Sequence, residues 1–144
     1  MKHKGALMEY SQERSDDLMR AYDEYLASCD YIRMPDVYNN IVDMPSRRFW
    51  VSDVRAALVI SAMIRGEARL DKMCASKREM YEEIYRRVII MREKYPEKTT
   101  SELCAMVVML PAPKFYLTPG SAKIMVCKAR KEWLRKKQQR LRRF

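Results

Sequence analysis

Apolar positions recur at a helical period along most of this chain. Leu18, Tyr22, Tyr25 and Cys29 stand three or four apart and make one stripe. The stripe predicts a first helix beginning near Ser11 or Ser15, whose hydroxyls can cap the free amides of a first turn. Asp16 and Asp17 then sit at the positive end of its dipole. Residues 30–33 break the pattern. A second helix opens at Pro35, a residue suited to a first turn because it has no amide to leave unpaired. Val37, Tyr38, Ile41, Val42 and Met44 line its inner side, and Pro45 stops it. Residues 45–51 are too short and proline-marked for a helix. They read as extended, with Phe49 and Val51 inward and Trp50 on the opposite side. Ser52 caps a third helix with Asp53 in its first turn. Val54, Ala57, Leu58, Ala62 and Met63 are the candidates for its packed face, and Gly66 is the natural stop.

After a connector the same order returns. Ser76 and Glu79 have capping-box spacing and predict the start of a fourth helix, with Met80, Ile84, Val88 and Met91 in one stripe and Tyr95–Pro96 as its end. Thr99 and Glu102 form a second such box. The fifth helix they open has Leu103, Met106, Val107 and Leu110 as its inner face and ends at Pro111. Thr118 and Pro119 open a sixth helix that nothing in residues 120–144 clearly stops.

The recurrence extends to the residues themselves. Pro45-Ser46-Arg47-Arg48-Phe49-Trp50-Val51-Ser52 is matched sixty-six residues later by Pro111-Ala112-Pro113-Lys114-Phe115-Tyr116-Leu117-Thr118. Ile41 to Met44 face Val107 to Leu110 at the same offset, Ala56 faces Ala122, and Leu58 to Ile60 face Ile124 to Val126. Helix four aligns with helix one at the same offset, Met80, Ile84, Val88 and Met91 facing Arg14, Leu18, Tyr22 and Tyr25, with the first position polar in the first copy. This period is longer than that of most solenoid repeats, which fall at roughly 20–50 residues. It predicts two copies of a small helical unit. The expected fold is all-α, with about six helices in two tandem trihelical units, each helix–helix–extended link–helix. Residues 1–10 read as a loose leader, 11–66 as the first unit, 67–75 as a connector, 76–132 as the second unit and 133–144 as a basic C-terminal helical tail. Each unit alone is of marginal size, which favours packing of the two together.

Charge changes the picture at one end. The net charge is +10. From Lys128 onward nine basic residues stand against Glu132 alone, so +8 of it lies in the last seventeen residues. A block this concentrated makes a local field for polyanions. No run of apolar residues approaches the length of a membrane span, and the basic N-terminus has no apolar stretch behind it to make a secretory signal. The four cysteines, at 29, 74, 104 and 127, show no paired metal-ligand spacing, and the single histidine, His3, is far from all of them. The expectation is a reduced, cytoplasmic protein without metal or cofactor. Three glycines leave no phosphate-cradling loop. No cysteine has a histidine close in sequence to activate it. Carboxylates such as Asp16, Asp17, Asp23 and Glu24 read as a solvated face. The chain is therefore expected not to be an enzyme.

A trihelical unit whose last two helices are joined by a short link resembles the helix-turn-helix class of nucleic-acid-binding domains, over residues 15–66 and 81–132. The link here has seven residues and no glycine, longer than the tight turn of that class. The resemblance puts helices three and six in the recognition position, which enters a major groove. Helix three is mostly apolar between Arg55, Ser61 and Arg65 and reads as a core helix or one for self-association or a protein partner. Helix six carries Ser121, Lys123, Lys128, Arg130 and Lys131 and runs into Arg135, Lys136, Lys137, Arg140, Arg142 and Arg143. Nucleic-acid contact is expected there, with base reading in its first turns. Arg47, Arg48 and Lys114 in the links are placed to clamp phosphates. Phe49 and Phe115 read as core plugs. Trp50 and Tyr116 read as packing residues, with stacking on unpaired bases as the alternative.

The function expected from the sequence is that of a non-enzymatic nucleic-acid-binding protein, DNA favoured over RNA, acting as a regulator or DNA-handling accessory of the kind carried by bacteria, phages and other mobile elements. The alternatives are an oligomeric or adaptor subunit of a larger nucleic-acid machine, such as a packaging complex, and an RNA-binding accessory protein. No membrane partner is expected.

Overall fold

Six α-helices and one short 3-10 turn make up the computed structural model, which describes residues 4–143. They are α1 (Lys4–Ser28), α2 (Met34–Ile41), α3 (Asp53–Ile64), α4 (Ala75–Lys94), α5 (Thr100–Val108) and α6 (Pro119–Arg142), with the 3-10 turn at Leu70–Lys72. The protein is all-α, as its periodicity predicts. His3 and the first residues of the expected leader lie outside the described residues. Residues 4–10 are helical, so α1 begins well before Ser11.

Most helix ends are set by the residues that the sequence marks. Ser52 accepts a hydrogen bond from the Arg55 amide, Thr99 from that of Glu102 and Thr118 from that of Ser121. Pro119 occupies the first turn of α6. Gly66, at φ +74°, closes α3, and the Glu67 amide donates to the Ala62 carbonyl at 2.9 Å. Glycine meets that backbone conformation without steric cost. The start of α4 differs. Cys74 holds the N-cap position and Ser76 lies inside the helix. The 3-10 turn brings the chain in early, and Arg78 secures it by donating to the carbonyls of Leu70 (3.1 Å) and Met73 (3.2 Å). α5 ends at Val108, before Pro111, which leaves Leu110 turned outward rather than buried.

The helices group into two compact units that do not follow chain order. One comprises residues 1–44 and 117–144, the other residues 45–116. In the first, α1, α2 and α6 pack on one another; in the second, α3, α4 and α5 do. These groups differ from the boundaries 11–66 and 76–132. The first two helices of each half of the chain are completed by the third helix of the other half.

In the first unit Leu18, Ala21, Val37, Ile41, Ala122 and Val126 are buried. Tyr22 and Tyr38 stack at 6.5 Å between α1 and α2, and Asn40 donates to the Tyr25 hydroxyl at 3.0 Å. One expectation for α1 is overturned. Asp17 is fully buried rather than solvated. It shares the packed face of α1 with Leu18, Ala21 and Tyr22, and Arg20 compensates its charge at 2.8 Å. A buried carboxylate without such a partner would be strongly destabilising.

The second unit is built on Phe49, Ile60, Ile84, Val88, Leu103 and Val107. The expected packed face of α3 is corrected in part, since Ala57 and Met63 do pack against the core. Ala56, Val59 and Ile60 point inward, and Val54 and Leu58 are 67% and 62% exposed. α3 is apolar nearly all round, so periodicity alone cannot choose its face. Both links run through this unit. The Ser46 and Ala112 backbones exchange a reciprocal pair of hydrogen bonds at 3.0 Å, an isolated antiparallel bridge. The Phe49 amide donates to the Val108 carbonyl at 3.0 Å, its ring stacks on Tyr116 at 6.0 Å, and the Arg87 guanidinium lies 5.0 Å over it. Arg87 also pairs with Glu83 at 2.9 Å and donates to the Pro111 carbonyl.

Replacing Phe49 by alanine therefore removes the centre of this arrangement. Phe49→Ala is expected to cost about 3–5 kcal/mol, the range for a buried aromatic cut back to alanine. A denaturant titration reads this. A midpoint unchanged from the parent would mean that the ring contributes nothing to the core.

Candidate nucleic-acid interface

The basic residues singled out in the sequence fall into two sets. Arg47, Arg48 and Lys114 belong to the second unit. Arg48 is turned back on its own link. Its guanidinium donates to the carbonyls of Phe49 (3.1 Å) and Val51 (3.0 Å) and lies 5.2 Å over the Trp50 ring. Lys114 pairs with Glu79 at 3.0 Å. Arg47 is exposed. Arg48 thus has a structural task, holding its link down, while Lys114 is engaged in an exposed ion pair. The Tyr116 ring is spent in the same way, against Phe49. Its backbone sits at φ +56°, a conformation unusual for a residue with a side chain, and burial pushes its hydroxyl up to about 12. Burial likewise pushes the Cys104 thiol up to about 11, which leaves it unreactive at neutral pH.

The second set is carried by α6, in the first unit. Ser121 is exposed and shares the helix cap, its hydroxyl 2.9 Å from that of Thr118. Ala122 and Val126 are buried, and Met125 and Ala129 are half-buried, so the inner face ends at Ala129. Lys123 and Lys128 stand on the outer face of the same stretch. From Arg130 to Arg143 every residue is exposed. This half of α6 projects from its unit, with no buried or half-buried residue among the described positions 130–143. Trp133 would be the next member of the inner stripe, yet it is 61% exposed and carries Lys137 5.0 Å over its ring.

Eight of the fourteen residues in the projecting half are Lys or Arg: Arg130, Lys131, Arg135, Lys136, Lys137, Arg140, Arg142 and Arg143. Glu132 is the one carboxylate among them, and it lies 4.0 Å from Arg135, a weak pairing. Lys131 and Arg135, and Lys136 and Arg140, stand four apart, where like charges repel on a helix. Such a helix gains when a polyanion takes up its charges. The block is legible in the sequence. The exposure of the helix around its whole circumference is not, because Trp133, Leu134 and Leu141 are residue types that normally pack against a neighbour.

Among the described residues, no helix is long and apolar enough to cross a membrane. Comparison of the chain with protein-family models, curated proteins and solved structures finds no match.

Proposed function

We propose that this chain is a nucleic-acid-binding protein that acts by binding rather than by catalysis, with DNA as the favoured ligand and α6 as the contacting element. The observation that carries this reading is the projecting half of α6: fourteen exposed residues, eight of them basic. Contacts to phosphate dominate the affinity of such a surface and release condensed counterions. The links have at most a supporting role in this reading, since Arg48 is turned back on its own backbone and Lys114 pairs with Glu79. The two trihelical units fit an origin by duplication. Positions sixty-six apart have matching burial at Phe49 and Phe115, Ala56 and Ala122, and Ile60 and Val126.

A second reading, an assembly or adaptor subunit of a nucleic-acid machine, is favoured by Val54 and Leu58 on the outside of α3. They stand four apart and present adjacent apolar side chains to solvent. Sizing chromatography of the protein alone, with duplex DNA and with single-stranded RNA separates the two. The DNA-binding reading predicts a small free protein that co-elutes with duplex. A large assembly without nucleic acid, dispersed by Leu58→Asp, would put the subunit reading first.

A further inference from the structure

The basic residues of the projecting helix do not form a single stripe. At about 100° per residue, they are spread around the axis, and the widest gap between them is also about 100°. That gap holds Leu134, Gln138 and Leu141. Lys137 and Arg130 border it on one side, and Lys131, Arg142 and Arg135 on the other. All of these side chains are exposed. A narrower gap lies well round the helix and holds Glu132 and Gln139; its carboxylate suits it to face solvent, away from phosphate. A helix resting on the outside of a nucleic acid uses charge on one face only. Charge on both flanks of a narrow neutral sector suits a helix lying inside a groove, with a phosphate wall on either side and base edges beneath.

We propose that the projecting half of α6 inserts into the major groove of B-form duplex DNA, with Leu134, Gln138 and Leu141 facing the base edges and the flanking Lys and Arg residues gripping both phosphate walls. This rests on the nucleic-acid reading above and adds the ligand's form and the residues that read it. Dimensions decide between duplexes. A helix with side chains is about 10–12 Å across, and the B-DNA major groove is about 12 Å wide. The deep, narrow major groove of A-form RNA does not admit side chains for reading. Fourteen residues at about 1.5 Å each extend about 21 Å, enough to follow the groove for roughly half a helical turn of DNA.

The chemistry of the neutral sector decides the preferred bases. Glutamine pairs in a bidentate way with adenine N6 and N7, and apolar side chains pack on the thymine methyl. Guanine is read chiefly by Arg or Lys, and the sector has neither. The helix therefore prefers A·T pairs. This places base reading beyond the body of the unit, not in the first turns of α6, where Ser121 shares the cap.

The test is a binding titration at three salt concentrations with three duplexes of equal length: DNA with a central A·T block, DNA of G·C pairs only, and A-form RNA. Parent and the triple variant Leu134→Ala, Gln138→Ala, Leu141→Ala are compared. All three positions are exposed, so the variant keeps the fold, which its melting curve verifies. The parent is expected to bind the A·T duplex about tenfold or more tightly than either competitor, in line with one good bidentate contact. The triple variant is expected to lose the preference for A·T over G·C, while it keeps the preference for DNA over RNA, which rests on groove width, and keeps its salt dependence. Equal binding of DNA and RNA by the parent, or tighter binding of RNA, overturns groove insertion and leaves the nucleic-acid reading standing. A preference for A·T over G·C that the triple variant retains overturns the assignment of the base-facing sector. Absence of binding to all three overturns both readings.

Discussion

Residues 1–66, expressed alone, are expected to show no cooperative unfolding transition. The piece contains α1, α2 and α3, three helices in the order of a simple trihelical domain. In the whole protein, however, α1 and α2 pack with α6, while α3 packs with α4 and α5. Removing residues 67–144 leaves the inner side chains of α1 and α2, among them Leu18, Ala21, Val37 and Ile41, without α6. It also takes α3 from its core partners Ile84, Leu103 and Val107. A domain's whole stability is on the order of 5–15 kcal/mol, and units of about this size are already marginal. Losing one helix of three is expected to exceed what remains. Mixing 1–66 with 67–144 is expected to restore helical circular dichroism and a melting transition, at a one-to-one ratio. Cooperative melting of monomeric 1–66 would contradict the exchange of third helices.

That exchange is also where sequence reading stops. Caps and stops are local, so Ser52, Gly66, Thr99, Thr118 and Pro119 declare themselves in the residues. The core plugs are legible too, since a Phe that recurs in a proline-bounded link has few reasons to be outside. Phe49 and Phe115 are 0% and 3% exposed. Which third helix closes which pair is a different kind of fact. α3 offers Ala56 and Ile60 to its partners, and α6 offers Ala122 and Val126 at the matching positions. Two nearly interchangeable faces give local periodicity nothing to distinguish them. The packed face of α3 is unreadable for a related reason, because Val54 and Leu58 are as apolar as Val59 and Ile60. Asp17 is misread because the packed face of α1 extends from Leu18 and Tyr22 to Ala21, and alanine is too weak an apolar signal to mark that side, where Asp17 lies. Arg87 gives no sign of itself. Nothing in the sequence signals that one guanidinium spans Glu83, the Phe49 ring and the Pro111 carbonyl.

The candidate site divides in the same way. Charge is additive along a chain, so the basic block can be counted from the residues alone. Its geometry cannot. In α6 the boundary falls at Ala129, where the packed stripe ends and the exposed helix begins. The links show the converse. Arg48 and Lys114 look like phosphate ligands by residue type, but each has an intramolecular partner.

Removal of the tail gives the second large effect and the most direct test of the nucleic-acid reading. Truncation after Glu132 deletes Arg135, Lys136, Lys137, Arg140, Arg142 and Arg143 and retains Lys123, Lys128, Arg130 and Lys131. Every deleted residue of α6 is exposed, so the melting temperature is expected to stay where it is. Binding is not. Each neutralised phosphate of B-DNA contributes about −0.9 to the slope of log affinity against log salt. With the three deleted charges that flank the neutral sector engaged, Arg135, Lys137 and Arg142, the slope flattens by roughly 3 and affinity at low salt drops by orders of magnitude. The measurement is a salt titration of binding to duplex DNA by the full chain and by residues 1–132. A steep slope is expected for the first and a much shallower one for the second, at equal thermal stability. The same slope for both would contradict phosphate contact by the tail, which would then be an arm that docks on a protein.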